Sequence, residues 1–263
     1  MKITIIGAGN MGCAIAKGLC KGSIFKPSDI TCTDKSESTL KNARSGGLNV
    51  NLTQNNIEAV KGADIVLFAV KPWVLPSAAN EVKSSLDYNG QIIISIAAGV
   101  GLEKLSEIFR HEDGSLPGMF YLIPNIAVEV KEGVFLYASK NASKQVIDLV
   151  QRVFGELGFA KHVEEKQMTA CTALSSCGIA YAFRFIRANI EGAVEMGLSP
   201  QDAQDITLHT IKGAVELLLN HKTHPEVEID KVTTPGGLTI KGLNAMEEAG
   251  FTSAVIKGLK AGK

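Results

Sequence analysis

The first 163 residues alternate short apolar runs with stretches in which apolar residues recur every three or four positions. The runs predict strands buried on both faces, and the wider spacing predicts helices that cover a sheet. The predicted strands cover residues 3–6, 30–33, 63–70, 91–96, 119–123, 134–137 and 160–163. The predicted helices cover residues 10–20, 36–45, 76–86, 102–109 and 143–157, with a shorter one from a Thr53 cap to Val60. This alternation predicts an α/β fold with a Rossmann-type, doubly wound and mainly parallel sheet.

From residue 164 onward only the helical spacing persists. The predicted helices there cover residues 167–173, 178–196, 200–219 and 238–249. We therefore expect two domains, a dinucleotide-binding Rossmann domain over residues 1–162 and an all-helical domain for dimerisation and substrate binding over residues 163–263. The two longest helices are apolar on more than one face, and so small a helical domain has difficulty covering that surface alone. Homodimerisation through these helices is the resulting expectation.

Composition narrows the class of protein. The chain has 263 residues, of which 45% are hydrophobic, and a formal net charge of zero. A neutral chain with one Trp and no basic run gives no reason to expect nucleic acid or an anionic membrane as a partner. The N-terminal apolar run is too short for a signal peptide, and residues 65–70 are too few to span a bilayer, so we expect a soluble cytoplasmic protein. An odd number of cysteines without a C-x-x-C spacing favours reduced thiols over disulfides or a zinc site at Cys13, Cys20, Cys32, Cys171 and Cys177.

A glycine-rich turn follows the first predicted strand and opens the first predicted helix. It fits the pattern G-x-G-x-x-G, in the context that gives this pattern its meaning. Gly7 permits the tight turn, Gly9 lets a pyrophosphate approach the backbone, and Gly12 allows close packing of helix on strand. The sequence therefore predicts a site for NAD or NADP whose first part is Gly7, Ala8, Gly9, Asn10, Met11 and Gly12.

The end of the second predicted strand bears on the choice of coenzyme. Asp34 stands about twenty residues beyond the glycine turn, where an acid takes the ribose 2′-hydroxyl of NAD. Lys35 and Ser36 follow it and are suited to a 2′-phosphate, so both coenzymes stay open. The other interpretation of Asp34 is an N-cap for the next helix.

A second turn leaves the carboxyl end of a buried strand, where open α/β sheets place their ligands. It consists of Ala69, Val70, Lys71 and Pro72. Lys71 either neutralises a phosphate of the cofactor or is an ordinary solvated lysine.

The C-terminal segment over residues 232–240 reads V-T-T-P-G-G-L-T-I, and helical spacing follows it at once. Adjacent glycines allow the backbone to come near a ligand, and the amides of a helix start suit a carboxylate or phosphate. A nucleotide site near one end of the chain and a small-anion site near the other suggest a redox enzyme that acts on a small acid.

These motifs together resemble the pyrroline-5-carboxylate reductases. The resemblance rests on the glycine turn, on A-V-K-P at residues 69–72, on S-I-A-A-G-V at 95–100, on I-P-N at 123–125 and on the 232–240 segment, which is the most specific. It spans the whole chain and implies reduction of 1-pyrroline-5-carboxylate to L-proline with NADPH or NADH, NADPH being slightly favoured. It also implies a homodimer, often within a larger ring, whose active site lies where the Rossmann domain of one subunit faces the helical domain of its partner.

The resemblance also implies roles for individual residues. Thr239 matches the threonine that hydrogen-bonds the substrate ring nitrogen and is the expected catalytic residue. The expected cofactor site gains Asn56 beside the adenosine, Ala97 and Asn125. The expected substrate-binding residues are Glu164, Thr234, Gly236, Gly237 and Leu238.

Three segments depart from the pattern of the family. Tyr121 stands where the family has Arg, and residues 126–127 lack its Thr and second Pro. Residues 174–181 read L-S-S-C-G-I-A-Y in place of L-S-G-S-G-P-A-Y, and Lys222 replaces a frequent Glu. These departures keep two alternatives open: a reductase of another small cyclic imine or keto-acid, and a non-catalytic nucleotide-binding relative.

Other candidate chemistry is weaker. His221 and His224 are three residues apart, but the sequence shows no third ligand for a metal. His209, Cys171 and Cys177 fall on apolar helix faces, where packing is the simpler role.

Overall fold

The computed structural model describes residues 1–262. Its two compact units are Met1–Ser176 and the helices from Cys177 onward. The strands are β1 Ile3–Ile6, β2 Ile30–Thr33, β3 Asn51–Thr53, β4 Ile65–Phe68, β5 Ile92–Ser95, β6 Gly118–Ile123, β7 Gly133–Lys140 and β8 Gly158–His162. The helices of the first unit are α1 Asn10–Cys20, α2 Glu37–Ser45, α3 Asn56–Val60, α4 Leu75–Val82, α5 Leu102–Phe109, α6 Lys144–Gly155 and α7 Met168–Thr172. Those of the second are α8 Gly178–Glu195, α9 Pro200–His221, α10 Pro225–Lys231, α11 Leu238–Glu248 and α12 Phe251–Ala261.

One sheet of eight strands carries the first unit. Its order is β3-β2-β1-β4-β5-β6-β7-β8, and every neighbouring pair is parallel except β6 and β7. The order reverses between β1 and β4, which is where doubly wound sheets open a crevice for a ligand. The predicted Rossmann-type, mainly parallel sheet is confirmed.

The sheet is buried because its central strands are apolar on both faces. Every residue of β1, β4 and β5 is buried. One apolar cluster joins Ile5 and Leu67 to Ile15 of α1, and a second joins Val66 and Phe68 to helices of the opposite face. Two apolar layers therefore hold the strand ends in fixed register.

Capping residues explain where α2 and α3 begin, with one correction to the expectation. Ser36 caps α2, since its Oγ accepts a hydrogen bond from the amide of Thr39 at 3.2 Å. Thr53 does not cap the next helix as expected, because it lies in β3. Asn55 caps α3 instead, through Oδ1 and the amide of Glu58 at 3.1 Å.

The first compact unit extends past the expected boundary at residue 162. Met168 of α7 is buried in the second apolar cluster. A π-helical turn over Ala173–Cys177 follows α7, and within it the hydroxyl of Ser176 donates to the carbonyl of Pro124 at 3.1 Å. These contacts tie residues 163–176 to the sheet, so the second unit begins at Cys177.

The helical unit has almost no buried interior. Among residues 177–262, Ala203 is the one residue that is buried. Large apolar side chains are exposed along its helices, including Phe183, Ile206 and Leu219 at 55%, 56% and 66%. This is the surface pattern of a unit that is completed by association.

Within residues 1–262, no helix combines the length and the apolarity that a membrane crossing needs. The five cysteines are free. Burial strongly raises the pKa of the Cys32 thiol, so this residue acts as an apolar core side chain.

Candidate active site

A cleft of about 830 Å³ opens at the carboxyl ends of the central strands, beside the reversal of strand order. A cavity of this size is typical of a small-molecule or cofactor site. Eleven of the predicted cofactor residues line it: Gly7, Gly9, Asn10, Met11, Asp34, Lys35, Asn56, Ala69, Val70, Lys71 and Pro72.

The glycine turn has the geometry of a phosphate cradle. Gly7 has φ +112°, and a Cβ there would lie 2.5 Å from the carbonyl oxygen of Ala69, so a side chain is excluded. A Cβ on Gly12 would lie 2.0 Å from the carbonyl oxygen of Gly7, so α1 needs glycine for its close approach. At Gly9 a Cβ would have no neighbour within 4 Å among the described atoms, which leaves open space above the backbone.

No side chain within the described residues caps the start of α1. Gly9 is the N-cap residue, and no side chain in the described part of the chain hydrogen-bonds the first turn at this position. Its amides therefore remain available for an anion, and the helix dipole favours negative charge there. The residues present fit the pyrophosphate of a dinucleotide.

Asp34 supports the glycine turn directly. Its Oδ2 accepts a hydrogen bond from the amide of Ala8 at 3.1 Å, and its Oδ1 accepts one from the amide of Ser36 at 3.0 Å. The interpretation of Asp34 as the helix cap is wrong, because Ser36 caps α2. Asp34 joins the turn to the end of β2, and its oxygens retain some acceptor capacity for a ribose hydroxyl.

A polar network lies beside Asp34. The Thr33 hydroxyl donates to Oδ1 of buried Asn56 at 2.5 Å, and Asn56 Nδ2 donates to Oε2 of Glu81 at 3.2 Å. The same Oε2 lies 3.0 Å from Nζ of Lys35. Sequence analysis missed Glu81, because it falls on an ordinary amphipathic helix, α4, far from any motif.

Lys71 is exposed at the cleft wall. No carboxylate among residues 1–262 lies within ion-pair distance of its ammonium group. Its charge is thus available to a phosphate, and that role stays a prediction.

Four predicted cofactor residues do not line the cleft. Ala8 and Gly12 lie just behind the turn that they shape. Ala97 is buried in the apolar core, and Ala98 lines the cleft next to it. Asn125 is buried, and its side chain serves the backbone: Nδ2 donates to the carbonyl of Ser175 at 3.3 Å, while Oδ1 accepts from the amide of Val134 at 3.1 Å.

Sequence analysis also missed the outer wall of the cleft. Thr172 and Ser176 reach it from α7 and the π-helical turn, and that turn coincides with a segment that departs from the family pattern. π-Helical turns inside helices are frequent at functional sites, although no sequence signal predicted this one. The other missed lining residues are Ile6, Thr33, Val74, Ala78, Ile96, Ala98, Ile123 and Pro124.

Tyr121 shapes the loop after β5. Its hydroxyl accepts a hydrogen bond from the amide of Gly99 at 3.1 Å, and burial raises its pKa. The neutral phenol therefore holds a loop whose residues Ile96 and Ala98 line the cleft.

Glu164 is exposed and pairs with Lys166, with 2.5 Å between Oε2 and Nζ. It lines a separate cavity of about 360 Å³ beside β7 and β8. Its neighbour Glu165 accepts a hydrogen bond from the amide of Leu102 at 2.5 Å and so caps α5. A substrate-binding role for Glu164 stays a prediction.

The C-terminal turn belongs to the helical unit. Gly236 has φ +72°, and Gly237 is the N-cap of α11 with its amide donating to the carbonyl of Thr234 at 2.9 Å. Leu238 and Thr239 occupy the first turn of α11, and both are exposed. No side chain within residues 1–262 caps this helix, so the turn presents amides and the Thr239 hydroxyl to the surroundings.

The two histidines of the weaker metal candidate have other partners. His221 Nδ1 lies 3.2 Å from Oε1 of Glu228, and His224 Nδ1 accepts a hydrogen bond from the amide of Glu226 at 3.3 Å. No group of three or more His, Cys, Asp or Glu side chains in the described chain is arranged to hold a metal ion.

Comparison with known proteins places these features in a family. A family model described as "Pyrroline-5-carboxylate reductase dimerisation" matches residues 165–263, and one described as "NADP oxidoreductase coenzyme F420-dependent" matches residues 2–99. The pyrroline-5-carboxylate reductase of Methanosarcina acetivorans is 35% identical, with 100% of this chain and 97% of that protein covered. The chain belongs to the pyrroline-5-carboxylate reductase family. The resemblance inferred from the motifs is confirmed.

Two further members of the family agree. Pyrroline-5-carboxylate reductase 1 of Dictyostelium discoideum is 38% identical over 98% of this chain, which spans 48% of that longer protein. The crystal structure of a Plasmodium falciparum pyrroline carboxylate reductase with NADP bound has a TM-score of 0.88 and 31% identity, covering 100% of this chain and 95% of that one. The expected fold, a Rossmann-type sheet followed by a helical region of the family's dimerisation type, is confirmed.

Proposed function

We propose that this protein reduces 1-pyrroline-5-carboxylate to L-proline with a reduced nicotinamide coenzyme. The observation that carries the proposal is that a member of this family has two helix starts that no side chain caps within the described residues. One is at Gly9, where the space above the backbone is open, and the other is at Gly237. The first suits a pyrophosphate, and the second suits the carboxylate of a small acid.

In the proposed reaction the bound coenzyme supplies a hydride to the C=N carbon of the cyclic imine. The chain's part is to bind and orient the two reactants. The amides at the start of α1 hold the pyrophosphate, and Lys71 adds a positive charge at the same wall. The apolar residues Ile96, Ile123 and Pro124 provide a surface for the uncharged nicotinamide ring of the reduced coenzyme.

At the substrate end, the free amides of Leu238 and Thr239 hold the carboxylate, as the first turn of a helix can do, while the Gly237 amide closes the turn onto Thr234. The Thr239 hydroxyl positions the ring nitrogen and relays a proton to it from water. Protonation of this nitrogen gives an iminium ion, which accepts hydride far more readily than the imine. Because a neutral hydroxyl is a poor acid, positioning is the main role of Thr239.

The test is oxidation of the reduced coenzyme with 1-pyrroline-5-carboxylate, followed by its near-ultraviolet absorbance with NADPH and with NADH. We expect turnover with at least one coenzyme and proline as the product. Turnover with another cyclic imine or a keto-acid only would replace the substrate in the proposal. Coenzyme binding without turnover on any imine would support the non-catalytic alternative.

A variant series at Thr239 tests the substrate site. We expect Thr239→Ala to lower kcat/KM by about 10- to 100-fold, which corresponds to about 1.4–2.7 kcal/mol of transition-state stabilisation. Thr239→Ser should retain most of the activity, because it keeps the hydroxyl. Thr252→Ala, an exposed threonine on α12, is the matched control. Unchanged kcat/KM in Thr239→Ala, with product still formed, would remove Thr239 from the mechanism.

We also propose a homodimer formed through the helical unit. The support is the scarcity of buried residues after Cys177 and the match of residues 165–263 to a dimerisation model. Light scattering should give twice the chain mass of 27.9 kDa, or an even multiple of it for a ring of dimers. Ile206→Glu should shift the mass toward one chain, and Gln204→Glu on the same helix should not. A single-chain mass for the wild type would contradict the dimer.

A further inference from the structure

Glu81 of α4 is bound to two residues that line the coenzyme cleft. Its Oε2 lies 3.0 Å from Nζ of Lys35 and accepts a hydrogen bond from Nδ2 of Asn56 at 3.2 Å. The Glu81 side chain is 28% exposed, while that of Lys35 is 73% exposed. Asn56 is itself held by the Thr33 hydroxyl at 2.5 Å, so the carboxylate has a fixed position at this end of the cleft.

The charges near this end of the cleft do not favour an additional anion. Asp34 and Glu81 each carry one negative charge, and the one cation that pairs with either of them in the described chain is Lys35, which pairs with Glu81. Lys35 is the cation here best placed for a 2′-phosphate, since it directly follows Asp34 at the end of β2. Its ammonium group is already neutralised by Glu81.

Asp34 has a role that does not depend on the coenzyme. Its two oxygens each accept a backbone amide, from Ala8 and from Ser36, so it supports the glycine turn whichever coenzyme binds. Glu81 differs from it, because its carboxylate pairs directly with the ammonium group of Lys35.

We propose that Glu81 sets the coenzyme preference of this protein by occupying Lys35, so that NADP(H) binds more weakly, relative to NAD(H), than it would without this carboxylate. A 2′-phosphate adds about 1.5 to 2 negative charges at neutral pH and must compete with Glu81 for the ammonium group. A 2′-hydroxyl carries no charge and meets no such competition. The inference rests on the proposed use of a nicotinamide coenzyme.

The effect of removing one charge can be bounded. In a solvated cleft, losing the interaction of two unit charges a few ångströms apart changes a Kd roughly fivefold. Glu81→Gln keeps the size of the side chain and a hydrogen-bonding carbonyl for Asn56. We expect its Kd for NADP⁺ to fall about three- to tenfold, while its Kd for NAD⁺ changes less than about twofold.

The experiment is calorimetric titration of the full-length protein with NADP⁺ and with NAD⁺, without substrate. It compares the wild type, Glu81→Gln, Lys35→Met and the double variant. Lys35→Met should weaken NADP⁺ binding more in the Glu81→Gln background than in the wild type, because only there is the ammonium group free. Glu107→Gln removes a similar pair, with Lys104 at 2.6 Å on α5, and should leave both Kd values unchanged.

An unchanged or increased ratio of Kd for NADP⁺ to Kd for NAD⁺ in Glu81→Gln would overturn the inference. Equal effects of Lys35→Met in the two backgrounds would also overturn it. Because the titration contains no imine, a failure of imine reduction with normal coenzyme binding would count against the proposed function alone.

Discussion

Two alanine substitutions in the glycine turn separate its role in folding from its role in binding. Gly9 has φ −72°, and a Cβ there would have no neighbour within 4 Å among the described atoms. Gly12 lies inside α1, and a Cβ there would lie 2.0 Å from the carbonyl oxygen of Gly7 and 3.3 Å from Cβ of Ala69. The turn therefore tolerates a methyl group at the first position and not at the second.

The expected stabilities differ accordingly. In Gly9→Ala, a smaller entropy of the unfolded chain contributes about 0.4–1 kcal/mol of stability, while alanine is the poorer N-cap by a similar amount. The two terms offset each other, so the free energy of unfolding should stay within about 1 kcal/mol of the wild type. Gly12→Ala must move α1 away from the turn, and we expect a loss of at least about 2 kcal/mol, within the range for overpacking.

Gly9→Ala should weaken coenzyme binding although it leaves the stability nearly unchanged. The added methyl group stands where the pyrophosphate approaches the backbone, so Kd should rise at least about tenfold, or about 1.4 kcal/mol. Gly155→Ala is the control: a Cβ there also has no described neighbour within 4 Å, but the residue ends α6 away from the cleft. It should keep the wild-type Kd and lose no stability.

Urea unfolding followed by circular dichroism gives the stabilities, and calorimetry with NADP⁺ gives the Kd values. The reasoning is refuted if Gly9→Ala binds as tightly as the wild type. It is refuted equally if Gly9→Ala unfolds as readily as Gly12→Ala.

Three further substitutions test the supporting contacts. Asn125→Ala should lower the free energy of unfolding by about 1–3 kcal/mol in urea, because buried backbone groups lose their partner, and a neutral result would contradict its structural role. Tyr121→Phe leaves the amide of Gly99 without its acceptor and should cost about 1 kcal/mol in the same assay; no loss would mean that water replaces the hydroxyl. Glu228 has a pKa lowered to about 2 from 4.5 by hydrogen bonds to Lys231, Thr223 and His221, so its stabilisation is complete above pH 4.5 and is lost as pH falls toward 2. Glu228→Gln should therefore lower Tm at pH 7 and match the wild type near pH 2, and a Tm difference that is independent of pH would contradict this.

The central sheet could be predicted because its signal is local. The apolar runs that became β1, β4 and β5 are buried on both faces, and the glycine turn could be placed because β1 precedes it. The strand β3 escaped prediction because it is a three-residue edge strand, N-L-T, without an apolar run. The helices α10 and α12 were not predicted, and neither contains a buried residue.

The cleft was predictable only where a motif supplied it. Residues after β1 and β4 were assigned from their spacing, whereas Glu81 and Ser176 reach their positions through tertiary folding of distant segments. Asn125 is a different case. Its motif suggested a ligand contact, which stays a prediction, while its side chain hydrogen-bonds the backbone of Ser175, Ala127 and Val134, contacts that no pattern in the sequence indicates.

Ala203 is the one buried residue among residues 177–262, and in the proposed dimer this has a consequence for how the protein behaves on dilution. A unit whose apolar side chains are covered by a second copy draws stability from mass action, so under this proposal its unfolding midpoint rises with protein concentration. The catalytic threonine proposed here sits on that unit. Specific activity should therefore fall at the lowest enzyme concentrations, and assays run far below the dissociation constant of the assembly would report on association rather than on chemistry.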